Sequence, residues 1–157
     1  NPISIPKGVV FNNNSVTGDK TSVTLNAYEE GTWTPNLLFG GSNVGLTYFD
    51  NNAKYTRIGN QVSITIYLAL TGVGSSTGSA TISGLPYVSG SSGRGYISAG
   101  SIYFHDISYT GQLQVQIPSG ASAISFQKVT EAGVASNLTN SNFNSATEMS
   151  VSFTYFV

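Results

Sequence analysis

Residues 61–70, QVSITIYLAL, set Val62, Ile64, Ile66, Leu68 and Leu70 on one side and Ser63, Thr65, Tyr67 and Ala69 on the other. Strict alternation of this kind marks a strand with one face in a core and the other in solvent. Residues 111–118, GQLQVQIP, repeat it. Leu113, Val115 and Ile117 point inward, Gln112, Gln114 and Gln116 outward, and Pro118, with no N–H to give a ladder, ends the run. Residues 149–157, MSVSFTYFV, alternate again, so the chain is expected to end inside a strand. Helical periodicity is almost absent, because Gly or runs of Ser, Thr and Asn interrupt nearly every stretch before two turns could form.

Outward from these three, shorter strands are expected at 31–39, 53–58, 79–83, 95–104 and 122–128, separated by Gly-rich turns. Gly59-Asn60 lies between two strand patterns, and both residues tolerate the positive φ of a tight hairpin turn. The spacing fits an all-β antiparallel sandwich or barrel. At 157 residues the chain has the length of one domain with a core of its own. Residues 1–26 hold two small β-like pieces, GVVF and SVTLN, with too little apolar material for a core, and read as a connector. Residues 27–157 form the β-domain. The start at Asn1 rather than Met reads as a piece of something longer.

The composition excludes several classes. Six Lys+Arg against seven Asp+Glu leave a formal charge of −1, with no basic surface to neutralise a phosphate backbone, so nucleic acid is not an expected partner. No apolar run is long enough to cross a bilayer, and membrane insertion is not expected. The absence of Cys removes disulfides and thiolate chemistry. With 8% charged residues and abundant Ser, Thr, Asn and Gly, the surface is covered by neutral hydrogen-bonding groups, as on virion parts and secreted β-proteins.

Catalytic constellations are scarce. His105, the single His, stands beside Asp106, and any Ser-His-Asp triad would have to use it; no nucleophile elbow precedes a helix. A lone His among Tyr103, Phe104 and Ile107 reads as a strand-end or loop residue. One His and scattered acids supply no metal-ligand spacing, so neither a metal nor a cofactor is expected. Glu29 and Glu30 are adjacent, so in an extended segment they point to opposite sides and cannot share one substrate. They are expected to pair with Lys or Arg, while Trp33 seals the edge of the core. Nine Tyr offer stacking faces with a hydroxyl handle. Tyr87, Arg94, Tyr96, Tyr103, His105, Asp106 and Tyr109 crowd into one stretch, read as loop-rich, and are the candidate saccharide-binding residues. The competing reading places most of these Tyr in strands or at subunit contacts.

The ordered motifs LNAYEEGTWTP (25–35), YTRIGNQVSITI (55–66), ISGLPY (82–87) and the terminal SVSFTYFV (150–157) resemble the C-terminal domains of bacteriophage tail fibres and tailspikes. The resemblance implies a β-sandwich of jelly-roll type, assembled as a homotrimer at the host-attachment tip of a virion, outside the cell. It implies a non-catalytic domain that recognises bacterial surface polysaccharide or lipopolysaccharide; the alternative is a purely structural trimerisation domain. The family supplies no binding motif to carry over, so the candidate residues rest on their own chemistry. A hydrolase using His105 and Asp106 is the third reading.

Overall fold

The computed structural model describes residues 9–10, 24–25, 27–91 and 97–157. Its strands are β1 (Val9–Val10), β2 (Thr24–Leu25), β3 (Tyr28–Trp33), β4 (Asn36–Phe39), β5 (Leu46–Ile58), β6 (Gln61–Val73), β7 (Ala80–Ser83), β8 (Ser98–Ile107), β9 (Gln112–Ile117), β10 (Ala123–Val129), β11 (Ala135–Asn137) and β12 (Phe143–Phe156). Among the described residues the helical element is one 3-10 turn, Asn140–Asn142. The fold is all-β, and its strand pairs are antiparallel.

β1 and β2 pair with each other; the remaining strands run in the order β3-β5-β6-β12-β8-β9-β10-β7-β4, with β11 beside β10. The two border strands, β3 and β4, are consecutive in the chain and joined only by Thr34-Pro35. The sheet is therefore curled, and its two halves face each other across one core. Val62, Ile64, Ile66 and Leu68 of β6 and Met149, Val151, Phe153 and Tyr155 of β12 supply one side. Leu37, Phe39, Ile82, Val115, Ile117, Ile124 and Phe126 supply the other. Leu138, fully buried, fills in beside them.

The turn from one half to the other is made by β8. Ser98, Ala99 and Gly100 pair with β9, whereas Ser101 to His105 pair with β12. Strands that change sheets do so at bends, and Gly100 sits at the changeover.

The alternating segments fall in strands, and their inward residues are buried apart from the half-buried Leu113, while Ala69 of the outward set is buried as well. β5 meets β6 across Gly59-Asn60, with Ile58 opposite Gln61. Only Gly59 takes a positive φ (61°); Asn60 does not, which is the sign pattern of a hairpin turn with Gly at its first central position. Four segments depart from the sequence reading. The strand expected at 53–58 begins already at Leu46. The expected strand over 31–39 is two strands, because Pro35 lacks an N–H and biases Thr34 away from regular pairing. The strand expected at 95–104 runs over Ser98–Ile107, so the stretch read as loop-rich around Tyr103 and His105 is a strand. β11 has no sequence signature; it forms where residues 135–137 fold back on β10. Of the connector assigned to residues 1–26, only the β1–β2 pair falls within the described residues.

Two irregularities shape the sheet. Register shifts in β5 on either side of Tyr48 leave Phe49 83% exposed. A second shift lies between Phe143 and Glu148 of β12, opposite the end of β8. There Asp106 holds φ at 55°, a left-handed value that few side chains accept and Asp tolerates. Its carbonyl accepts from Thr147 Oγ1 at 2.8 Å and Asn144 Nδ2 at 3.3 Å, which fixes the distorted corner.

Candidate functional site

The outward face of the central strands is built in rows by the pairing register. One row runs Asn52, Tyr67, Ser150, Tyr103 across β5, β6, β12 and β8. The row above it is Asp50, Ala69, Glu148, His105, and the row below is Lys54, Thr65, Ser152, Ser101. Tyr67 and Tyr103 thus stand on either side of Ser150, their Cα atoms about 9.5 Å apart from two strand spacings. Tyr103 is 62% exposed, and Tyr67 is half-buried. Tyr67 donates its hydroxyl to Glu148 Oε1 at 2.7 Å, which anchors the ring; the carboxylate raises the Tyr67 pKa. Below the slot, the hydroxyls of Thr65, Ser101 and Ser152 continue a shallow groove with Ser63 and Thr154. A surface of this make-up can stack a ring and exchange neutral hydrogen bonds.

A second polar cluster lies on the inward side of β3, at the rim of the core. Glu29 accepts hydrogen bonds from Tyr55 on one carboxylate oxygen and Tyr87 on the other. These bonds, Tyr55 first, hold the Glu29 carboxyl below its ordinary value of 4.5, and Glu29 in turn pushes Tyr55 up to about 12. Arg57 places its guanidinium 4.5 Å from the centre of the Tyr87 ring and donates through Nε to Gly59 O at 2.8 Å. Tyr155, buried and pushed up to about 12 by its burial, donates to the Tyr87 carbonyl at 3.0 Å. Together these contacts tie the segment after β7 to β3, β5 and β12. On the other side of β3, Glu30 accepts from Tyr28. The two glutamates do point apart, but their partners are tyrosines rather than Lys or Arg. Phenols reach Glu29 because Tyr55 and Tyr87 stand on the same rim, whereas Arg57 is drawn to Gly59 and the Tyr87 ring.

The sequence candidates are accordingly divided. Tyr103 and His105 share the outward face of β8. Asp106 bonds His105 Nδ1 through Oδ2 at 2.6 Å, and its backbone belongs to the distorted corner. Tyr109 is half-buried with its ring edge-on to Phe104, 5.5 Å between centroids, and serves packing. Tyr87 belongs to the Glu29 cluster. Tyr155, which touches Tyr87, lies seven residues along β12 from Glu148, roughly 24 Å. Arg94 and Tyr96 lie outside the described residues. Trp33 packs part-buried against the core, with its Nε1 sealed from solvent and unpartnered.

Sequence reasoning did not bring in Tyr67 and Ser150, and raised Glu148 only as one of four acids that could pair in space. Each was legible as the outward residue of an alternating strand. Nothing in one chain indicates that residues 67, 103 and 150 fall in one row, since that depends on pairing between distant segments. Among the described residues, no group of three His, Cys, Asp or Glu side chains is placed to hold a metal ion, and no helix is long and apolar enough to cross a membrane.

The curled antiparallel sheet has a counterpart in one part of a solved tailspike protein. A solved structure similar in fold to this chain is that of the Dettilon tailspike protein (gp208), with a TM-score of 0.67 over 82% of this chain at 18% identity. This chain spans 24% of that protein's length, so the likeness is to one part of it, and at this identity it is a likeness of fold. No family model and no curated protein matches the chain.

Proposed function

We propose that this is a tail-associated domain of a bacteriophage adhesin that binds a bacterial surface polysaccharide or lipopolysaccharide without cleaving it. The observation that carries the reading is the outward row Tyr67, Ser150, Tyr103, a half-buried and an exposed tyrosine on either side of a serine hydroxyl. The fold shared with part of a tailspike protein supports the setting. In this reading the domain is a jelly-roll sandwich, works as a homotrimer, and sits outside the cell on the virion tail. Titration of purified host polysaccharide into the domain, followed by calorimetry, tests it: saturable binding with no new reducing ends is expected, and no heat of binding overturns it.

A specific feature favours a second reading, in which the domain only holds subunits together. Tyr28, Ile58 and Phe156, with Gln61 between the last two, form an outward row in which the three apolar side chains are 42–61% exposed. Exposed apolar rows of this kind suit subunit contacts. The solution mass reads this directly. A species of three times 16.4 kDa that becomes monomeric on Ile58→Lys or Phe156→Lys, with polysaccharide binding absent throughout, would favour it.

A further inference from the structure

The slot between Tyr67 and Tyr103 carries a statement about the chemistry of its ligand, which rests on the receptor-binding reading above. Its floor, Ser150, is small, and Tyr67 and Tyr103 flank it on the neighbouring strands. Charge is distributed unevenly around it. The row closing one end holds Asp50 and Glu148, with Asp106 next to it at the end of β8. Asp50 is kept in place by the Asn51 N–H and Asn52 Nδ2, both 2.8 Å from Oδ1. His105 Nδ1 is occupied by Asp106 Oδ2 at 2.6 Å. Lys54, the described cation that shares this face in register, lies in the row on the other side of the slot, two strands from Ser150.

The hydrogen-bonding inventory points the same way. Glu148 uses Oε1 to hold Tyr67 and receives no bond from within the described chain at Oε2. A carboxylate with a free oxygen accepts from hydroxyls and repels another carboxylate. Ser150, Ser152, Thr65 and Ser101 can each donate and accept.

We infer that this slot takes one uncharged pyranose ring of a polysaccharide, held between Tyr67 and Tyr103 with a hydroxyl directed to Glu148, and that it excludes uronic and sialic acids.

A printed array of bacterial O-antigen and capsule repeats, half neutral and half carboxylate-bearing, tests it on the intact chain. Neutral repeats should be retained and acidic ones not. Tyr103→Ala should weaken retention on the order of tenfold, because a truncated central aromatic contact commonly costs that much. Ser150→Trp, which fills the slot and leaves both walls, should abolish it. An unchanged melting temperature shows that both variants are folded. Retention of acidic repeats as strong as that of neutral ones, or neutral binding that neither variant reduces, overturns the inference and leaves the receptor reading standing. Binding to no repeat at all overturns the receptor reading and the inference with it.

Discussion

Gly100 stands directly against the ring of Phe153: a Cβ added at Gly100 would lie 2.5 Å from Phe153 Cζ. Phe153 is 4% exposed and cannot swing away, so the bend of β8 depends on the missing side chain. Gly100→Ala is expected to lower stability by about 1–3 kcal/mol through overpacking. Phe153→Ala should cost about 3–5 kcal/mol through the cavity it leaves. In urea unfolding, the double variant should be more stable than the sum of the two losses predicts, since Ala at 100 no longer meets a ring. Full additivity would show that the ring is not what Gly100 accommodates.

Glu29→Gln tests the rim cluster. Because the bonds from Tyr55 and Tyr87 lower the Glu29 pKa in the folded state, its contribution to stability is present above its ordinary value of 4.5. That contribution is lost as pH falls through the lowered folded value. The gap in urea midpoint between wild type and Glu29→Gln should therefore be widest above pH 4.5 and close as the solution is acidified. A gap independent of pH would remove the carboxylate from the explanation.

Alkaline conditions probe Tyr155. Burial raises its folded pKa to about 12 from an ordinary 10.0, so its stabilising effect is complete below pH 10 and is lost as pH rises toward 12. Tyr155→Phe should cost about 1 kcal/mol at neutral pH, from the lost bond to the Tyr87 carbonyl. Between pH 10 and 12 its stability should decline less steeply than that of wild type, and equal slopes would contradict this assignment.

The left-handed Asp106 sets apart backbone strain from side-chain bonding. Asp106→Gly relaxes the backbone at φ 55° while giving up the contact to His105, and should leave stability within about 1 kcal/mol of wild type. Asp106→Val, β-branched, should lose about 1–2 kcal/mol or more. Thermal unfolding that ranks Val at or above Gly would mean that the corner has rearranged.

The strands were legible wherever one face alone meets the core: β6, β9 and β12 follow directly from Val62 to Leu70, Leu113 to Ile117 and Met149 to Tyr155. The same alternation was present at Ser101 to His105, where Ile102 and Phe104 turn inward. The strand expected at 95–104 took in most of it; only its extension through His105 to Ile107 was read as loop. What local pattern cannot carry is register. Glu29 gave no sign that its partners would be Tyr55 and Tyr87, because those contacts depend on β3 pairing with β5 and on where the segment after β7 comes to rest. Tyr67 and Tyr103 likewise became neighbours of Ser150 only through β12.

β12, the last strand in chain order, lies in the middle of the sheet between β6 and β8. During synthesis, residues 61–73 and 98–107 therefore leave the ribosome with the gap between them unfilled, and the core cannot close until residues 143–156 are made. A message that stops short yields a chain with two open sheet edges and exposed Ile64, Ile66 and Leu68, a substrate for aggregation or proteolysis rather than a shortened working domain. Translation through residue 156 is thus a condition of folding for this domain.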